Sequence, residues 1–306
     1  MNSIRTALAA AAVAAAPAAF AQEIIVVSHG QASDPFWSVV KNGVDKAAEH
    51  TGADVSYRAP ETFDMVAMSQ LIDAAVNQEP DGLVVSIPDA DALGPSIERA
   101  VQAGIPVISM NSGSDVADEL GALLHVGQDE FDAGQAAGEK LAEMGGTKAI
   151  CVNQEVGNVA LDLRCEGFTE GFGGPVEVVP TSMDPTEVES KVQAALESDP
   201  EVDVVMTLGA ATAGEPALRA LQGMGRDDVM LATFDMSPTF MEAVSAGEAA
   251  FAIDQQQYLQ GYLPVVFLAM NANYGLVPGG DVPSGPNLVT QDKAEQVVEL
   301  SAQGIR

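Results

Sequence analysis

The sequence predicts an α/β protein: two successive open parallel sheets, each with helices on both faces. Three observations carry this. Short apolar runs alternate with longer stretches of helical periodicity. The runs are continuously apolar, as strands of a parallel sheet covered on both faces must be. The alternation also starts afresh near the middle of the chain, and about ten strands exceed what one open sheet commonly holds.

In the first half, strands are expected at 24–28, 53–57, 82–86, 106–110 and 123–126, with helices at 36–49, 65–77 and 92–103. The third helix stops at Gly104-Ile105-Pro106, which leads into a new strand. The second half opens with a helix at 130–144. It continues with strands at 149–152, 176–179, 202–207, 229–234 and 250–253. Helices at 158–172, 185–197, 212–223 and 238–246 separate them. Gly134 and Gly138, spaced GxxxG within the helix at 130–144, read as a close helix contact. A long helix over 255–274 precedes a Pro/Gly-rich segment at 277–286, which reads as a linker or irregular crossover. A strand at 287–290 and a last helix follow.

The N-terminus reads as an export signal. Arg5 supplies a positive start, 7–16 an Ala-rich apolar stretch, and Ala19-Phe20-Ala21 a small-x-small cleavage site. Cleavage after Ala21 and a periplasmic address are expected. No later stretch reaches the roughly 18 uninterrupted apolar residues that a membrane span needs. In an oxidising compartment Cys151 and Cys165 are expected to pair, the alternative being two separate buried thiols. There is no CxxC, and His29, His50 and His125 share no ligand spacing, so no metal site is expected.

Composition excludes whole classes of partner. There are 44 Asp plus Glu against 13 Lys plus Arg, a net charge of −31. Nucleic acid needs a basic footprint, and an anionic membrane surface likewise attracts basic groups and repels an acidic chain. A hydrophobic fraction of 47% is ample for a core despite the acidity. No GxxxxGK[ST], GxSxG or HExxH occurs, so neither an enzyme nor a cofactor is indicated.

In open α/β sheets ligands sit beyond the carboxyl ends of the strands. Those positions hold Ser28-His29, the loop 30–35, Phe36-Trp37, Asn111-Ser112-Gly113, the segment 153–158 with Arg164 nearby, Gly209-Ala210-Ala211-Thr212, Asp235, and Asp254-Gln255. Aromatics, amides, carboxylates and one Arg suit a neutral polyhydroxylated ligand. Aromatic faces cover its C–H surface, while planar polar groups bond its hydroxyls.

At these positions the sequence resembles the periplasmic sugar-binding proteins of the ribose/galactose type, the soluble receptors of bacterial ABC importers. The resemblance rests on Ile25-Val26-Val27-Ser28 leading to Asp34-Pro35-Phe36-Trp37, on Asp81-Gly82-Leu83-Val84-Val85-Ser86, and on Ala103-Gly104-Ile105-Pro106-Val107-Ile108. It continues through Arg164-Cys165-Glu166-Gly167-Phe168, Thr233-Phe234-Asp235 and Ile253-Asp254-Gln255-Gln256. It covers nearly all of the chain after the signal.

The resemblance implies two Rossmann-like lobes joined by a three-crossing hinge. The N-terminal lobe would be 22–126 plus 255–286, and the C-terminal lobe 127–254 plus 287–306. It implies that Asp34 contacts sugar hydroxyls and that Phe36 and Trp37 stack on the ring or anchor the helix. It further implies that Asn111, Arg164 and Asp235 bind hydroxyls, Asp235 also being placed to cap a helix, and that the hinge residue Gln255 reaches the ligand. Two departures stand out. Ser112 and Ala210 replace polar groups common in relatives, and the loop from His29 to Asp34 is longer than in a ribose binder. His29 is then either an extra contact or a structural cap. The implied function is capture of a small neutral sugar or polyol by hinge closure and delivery to an ABC permease, by a monomer. The alternatives are a sugar or furanose-signal sensor feeding a chemoreceptor or sensor kinase, and a periplasmic sugar-modifying enzyme.

Overall fold

The computed structural model describes residues 21–30 and 34–306. The expected export signal, apart from Ala21, lies outside the described residues. In chain order the first half forms β1 (Glu23–Val27), α1 (Pro35–Thr51), β2 (Asp54–Arg58), α2 (Met65–Val76), β3 (Gly82–Val85), α3 (Ala90–Gln102), β4 (Val107–Asn111) and β5 (His125–Gly127). The second half forms α4 (Glu130–Glu143), β6 (Ala149–Asn153), α5 (Val159–Phe172), β7 (Val176–Pro180), α6 (Pro185–Ser198) and β8 (Val204–Thr207). It continues with α7 (Glu215–Met224), β9 (Met230–Phe234), α8 (Pro238–Ala246), β10 (Phe251–Asp254), α9 (Gln257–Tyr274), β11 (Val282–Pro283), β12 (Asn287–Thr290) and α10 (Gln291–Ala302). Six successive helices, α1 to α6, begin on an Asp or Asn whose side chain accepts a first-turn backbone N–H.

The strands assemble into two six-stranded sheets, ordered β2-β1-β3-β4-β5-β11 and β7-β6-β8-β9-β10-β12. The continuous apolar runs are explained by the strand period of two. In β1, Ile24 and Val26 pack under α1 and α9, while Ile25 and Val27 pack under α2 and α3. In β6, Ala149 and Cys151 face α4 and α5. Ile150 and Val152 face the layer that contains α6, α7, α8 and α10. Both faces of each sheet are therefore core.

The chain moves between the sheets three times: from β5 to α4, from β10 to α9, and from β11 to β12. Helix α9 returns to pack on α1 and the first sheet. Two elements depart from the pattern read in the sequence. The segment at 277–286 is not wholly irregular, because Val282 and Pro283 extend the first sheet beside β5. Two residues are too few to leave a hydrophobic run. The second sheet is also not wholly parallel, since β12 pairs antiparallel with β10. Its chain arrives at the same end of the sheet from which β10 leaves, so it must run back. The helix expected from 212 opens with a π turn at Ala210–Gly214 before α7 begins.

Polar side chains hold the crossings together. Gln256 Nε2 donates to the Ser284 carbonyl at 2.9 Å, and Gln260 Nε2 donates to Ser284 Oγ at 3.0 Å. Asn287 Nδ2 donates to the Asp254 carbonyl at 3.2 Å. Arg306 pairs with the buried Asp254 carboxylate.

Candidate functional site

A cavity lies beyond the carboxyl ends of both sheets, with about 540 Å³ of empty space including its mouth. His29, Asp34, Phe36, Trp37, Asn111, Arg164, Asp235 and Gln255 all line it. A larger hollow of about 1320 Å³ opens at the opposite end of the second sheet, around Arg226, Asp228 and Glu248. The strand-end rule points to the smaller cavity.

On the first-sheet side, Asp34 is the N-cap of α1. Its Oδ1 accepts from Phe36 N at 2.9 Å, and Pro35 sets the first helical φ. Burial pushes the Asp34 carboxyl up to about 6, against the Phe36 N–H, and Glu155 pushes the same way. Phe36 is half-buried, while Trp37 is only 4% exposed and belongs to the core as well as to the cavity wall. The two rings meet edge to face at 5.1 Å, and His29 meets Trp37 in the same way at 4.7 Å. His29 bonds Ser86 Oγ through both its backbone N, at 3.0 Å, and Nδ1, at 2.8 Å. Burial, aided by Arg164, holds its imidazole down at about 3, so it is neutral. His29 therefore braces the strand end while facing the cavity.

On the second-sheet side, Arg164 projects from α5. Its guanidinium grips Glu130 through Nε to Oε2 at 2.6 Å and Nη2 to Oε1 at 3.0 Å. Nη1 donates to the Leu208 carbonyl at 3.3 Å, and the group lies 4.4 Å over the Phe234 ring. Burial works against the charge, but Glu130, then Asp235 and Glu155, outweigh it and the pKa is raised. Asp235 follows β9 with φ 66, a left-handed conformation that Asp tolerates. Burial pushes its carboxyl up to about 7, opposed chiefly by Arg164.

The two sheets present equivalent positions. Asn111 ends β4 as Asp235 follows β9, and it too is left-handed, at φ 63. Gln255 connects them: its Oε1 accepts from Asn111 Nδ2 at 3.2 Å, and its Nε2 donates to Asp235 Oδ1 at 2.5 Å. Asn111 Nδ2 also donates to Gln260 Oε1, so both its amide hydrogens are used within the crossing region. Asn111 lines the cavity, but its amide nitrogen is committed to the protein.

Sequence reasoning singled out the segment 153–158 without choosing residues from it. Gln154, Glu155 and Asn158 line the cavity, as does Met183 from the loop after β7. Asn158 caps α5 through Ala160 N at 3.1 Å, and its Nδ2 donates to Glu155 Oε2 at 2.9 Å. Next to it, Val159 N donates across the cleft to the Pro88 carbonyl at 3.0 Å. The cleft is therefore closed in this structure. Cys151 and Cys165 are joined, tying α5 to β6 one residue from Arg164. Among the described residues no group of acids, histidines or cysteines could hold a metal ion. No helix there is long and apolar enough to cross a membrane.

The periplasmic binding protein domain matches residues 24–275. The chain is 28% identical to the ribose import binding protein of Escherichia coli over 83% of its own length and 87% of the relative's. It is 24% identical to a xylose/arabinose-binding protein of Sulfolobus acidocaldarius over 80% of its length, and it spans 64% of that protein. Among solved structures, a carbohydrate transporter protein of Acidothermus cellulolyticus in complex with myo-inositol superposes with a TM-score of 0.88 at 35% identity. That match covers 94% of this chain and 100% of the other. A periplasmic sugar binding protein of an ABC sugar transporter from Legionella pneumophila gives 0.80 at 26% identity, over 86% and 99% of the two chains.

Proposed function

The chain belongs to the periplasmic binding protein family, and we propose that it captures a small neutral carbohydrate or polyol and delivers it to an ABC transporter permease. The observation that carries this reading is one cavity lined from both sheets and from the crossing strands. Phe36 and Trp37 would cover the C–H face of the ligand. Asp34, Asp235 and Arg164 would bond its hydroxyls, and Gln255 would sense it from the hinge. The lobes, 22–126 plus 255–286 and 127–254 plus 287–306, would close on it about the crossings. Contacts made only when the lobes meet favour the closed state. The protein would act as an exported monomer, by binding alone, and release its ligand unchanged.

A thermal-shift screen of pentoses, hexoses, polyols and inositols tests this. A ligand at about 1,000 times its Kd should add about 4 kcal/mol of stability. Trp37 is the only tryptophan, so the same ligand should change the intrinsic fluorescence. Failure of the whole panel to shift the melting temperature would overturn the reading, as would recovery of chemically altered sugar.

A further inference from the structure

Resting on that reading, we propose that Glu155 is a specificity-determining residue: with Asp34 from the opposite lobe it forms a carboxylate pair that accepts hydroxyl protons of a neutral ligand and excludes anionic sugars. The pattern of free oxygens points to it. Three carboxylates line the cavity, and each has one oxygen held by its own surroundings. Asp34 Oδ1 takes the Phe36 N–H, Asp235 Oδ1 the Gln255 amide, and Glu155 Oε2 the Asn158 amide. The second oxygens, Asp34 Oδ2, Asp235 Oδ2 and Glu155 Oε1, accept no hydrogen bond from the described residues. These three side chains line the cavity, so a ligand hydroxyl there can supply the donor that each second oxygen lacks.

Glu155 is also held firmly. Its backbone N donates to Asn153 Oδ1 at 3.0 Å, and Asn153 Nδ2 in turn donates to Asp162 at 2.8 Å. The Val159–Pro88 hydrogen bond then fixes this loop against the first lobe. Glu155 and Asp34 thus enter one cavity from opposite sides. Arg164 lines the same cavity but offsets them only in part, because it gives two of its three protein hydrogen bonds to the Glu130 carboxylate and the third to Leu208. A ligand carboxylate or phosphate between them would face like charge from both sides, at the several kcal/mol that such juxtapositions cost.

Isothermal titration at pH 7 with matched pairs tests this: glucose and glucuronate, ribose and ribose 5-phosphate, myo-inositol and its monophosphate. Wild type should prefer the neutral member of the binding pair by at least about 100-fold. Glu155→Gln keeps an oxygen for Asn158 but removes the charge. It should weaken the neutral ligand by about 10-fold and narrow the neutral-to-anionic ratio by at least about 10-fold. A merely structural Glu155 would leave that ratio unchanged, and this outcome overturns the proposal. Equal binding of neutral and anionic members by wild type overturns it without any variant. If no neutral member binds wild type, it is the functional reading itself that falls.

Discussion

Arg164 enters the cavity with its charge already matched. Glu130, on another helix, takes two of its N–H groups, and both side chains are nearly inaccessible to water. Removing one partner of a buried pair strands the other. Arg164→Ala is therefore expected to cost about 3–5 kcal/mol and to abolish ligand binding. Replacing both residues by Met should restore most of the stability but none of the binding, since hydrophobic replacement of a whole buried pair is often neutral. Urea unfolding followed by calorimetric titration separates the two effects. If Arg164→Ala unfolds at the wild-type midpoint, this account of the pair is wrong. Arg164 was legible in the sequence through its motif with Gly167-Phe168. Glu130 was not, because 34 residues separate it from Arg164 and only helix packing brings the two together.

At the scale of elements, glycines set how closely the site-bearing helices approach their neighbours. A Cβ on Gly134 would lie 2.2 Å from the Arg164 carbonyl oxygen, and one on Gly138 2.3 Å from that of Phe168. From the other side, Gly167 and Gly171 would meet the carbonyls of Phe131 and Gln135 at 2.0 and 2.1 Å. The first lobe repeats the device between α1 and α9, where Gly43 and Gly261 would meet the Tyr258 and Val40 carbonyls at 2.1 and 2.0 Å. Backbone cannot yield as a side-chain tip can. Gly134→Ala is therefore expected to destabilise by about 1–3 kcal/mol or more and to weaken binding by moving Arg164. Gly223→Ala, in α7 with nothing near its Cβ position, should instead be neutral or add up to about 1 kcal/mol. Melting curves of the two variants check this, and a neutral Gly134→Ala would refute the close contact. The GxxxG spacing made half of this contact legible. Gly167 and Gly171 on α5 carry the same spacing, but that the two pairs face each other emerges only once α4 lies against α5.

For the whole molecule, the acidity first constrained the partner and then proved to be mostly a matter of the exterior. Many acids cap helices or face solvent, and 13 cations cannot pair with 44 anions. Self-repulsion of a net charge of −31 should destabilise the folded chain at low salt. Between 0.01 M and 1 M NaCl the Debye length shrinks from about 30 Å to about 3 Å, so the melting temperature should rise. A gain of about 1 kcal/mol would read as about 2–4 °C, whereas a falling melting temperature would contradict the argument. The sequence by itself determined the alternation of strands and helices, the two sheets and the exclusion of nucleic acid and anionic membrane surfaces as partners. Those follow from hydrophobic period and composition, which are properties of neighbouring residues. Only the tertiary structure decided that β11 extends the first sheet and that Arg164 is neutralised by Glu130. It alone brought Glu155 into the cavity opposite Asp34. Each of these depends on which distant groups share a low-dielectric space, and contact between separate elements leaves no period in the sequence.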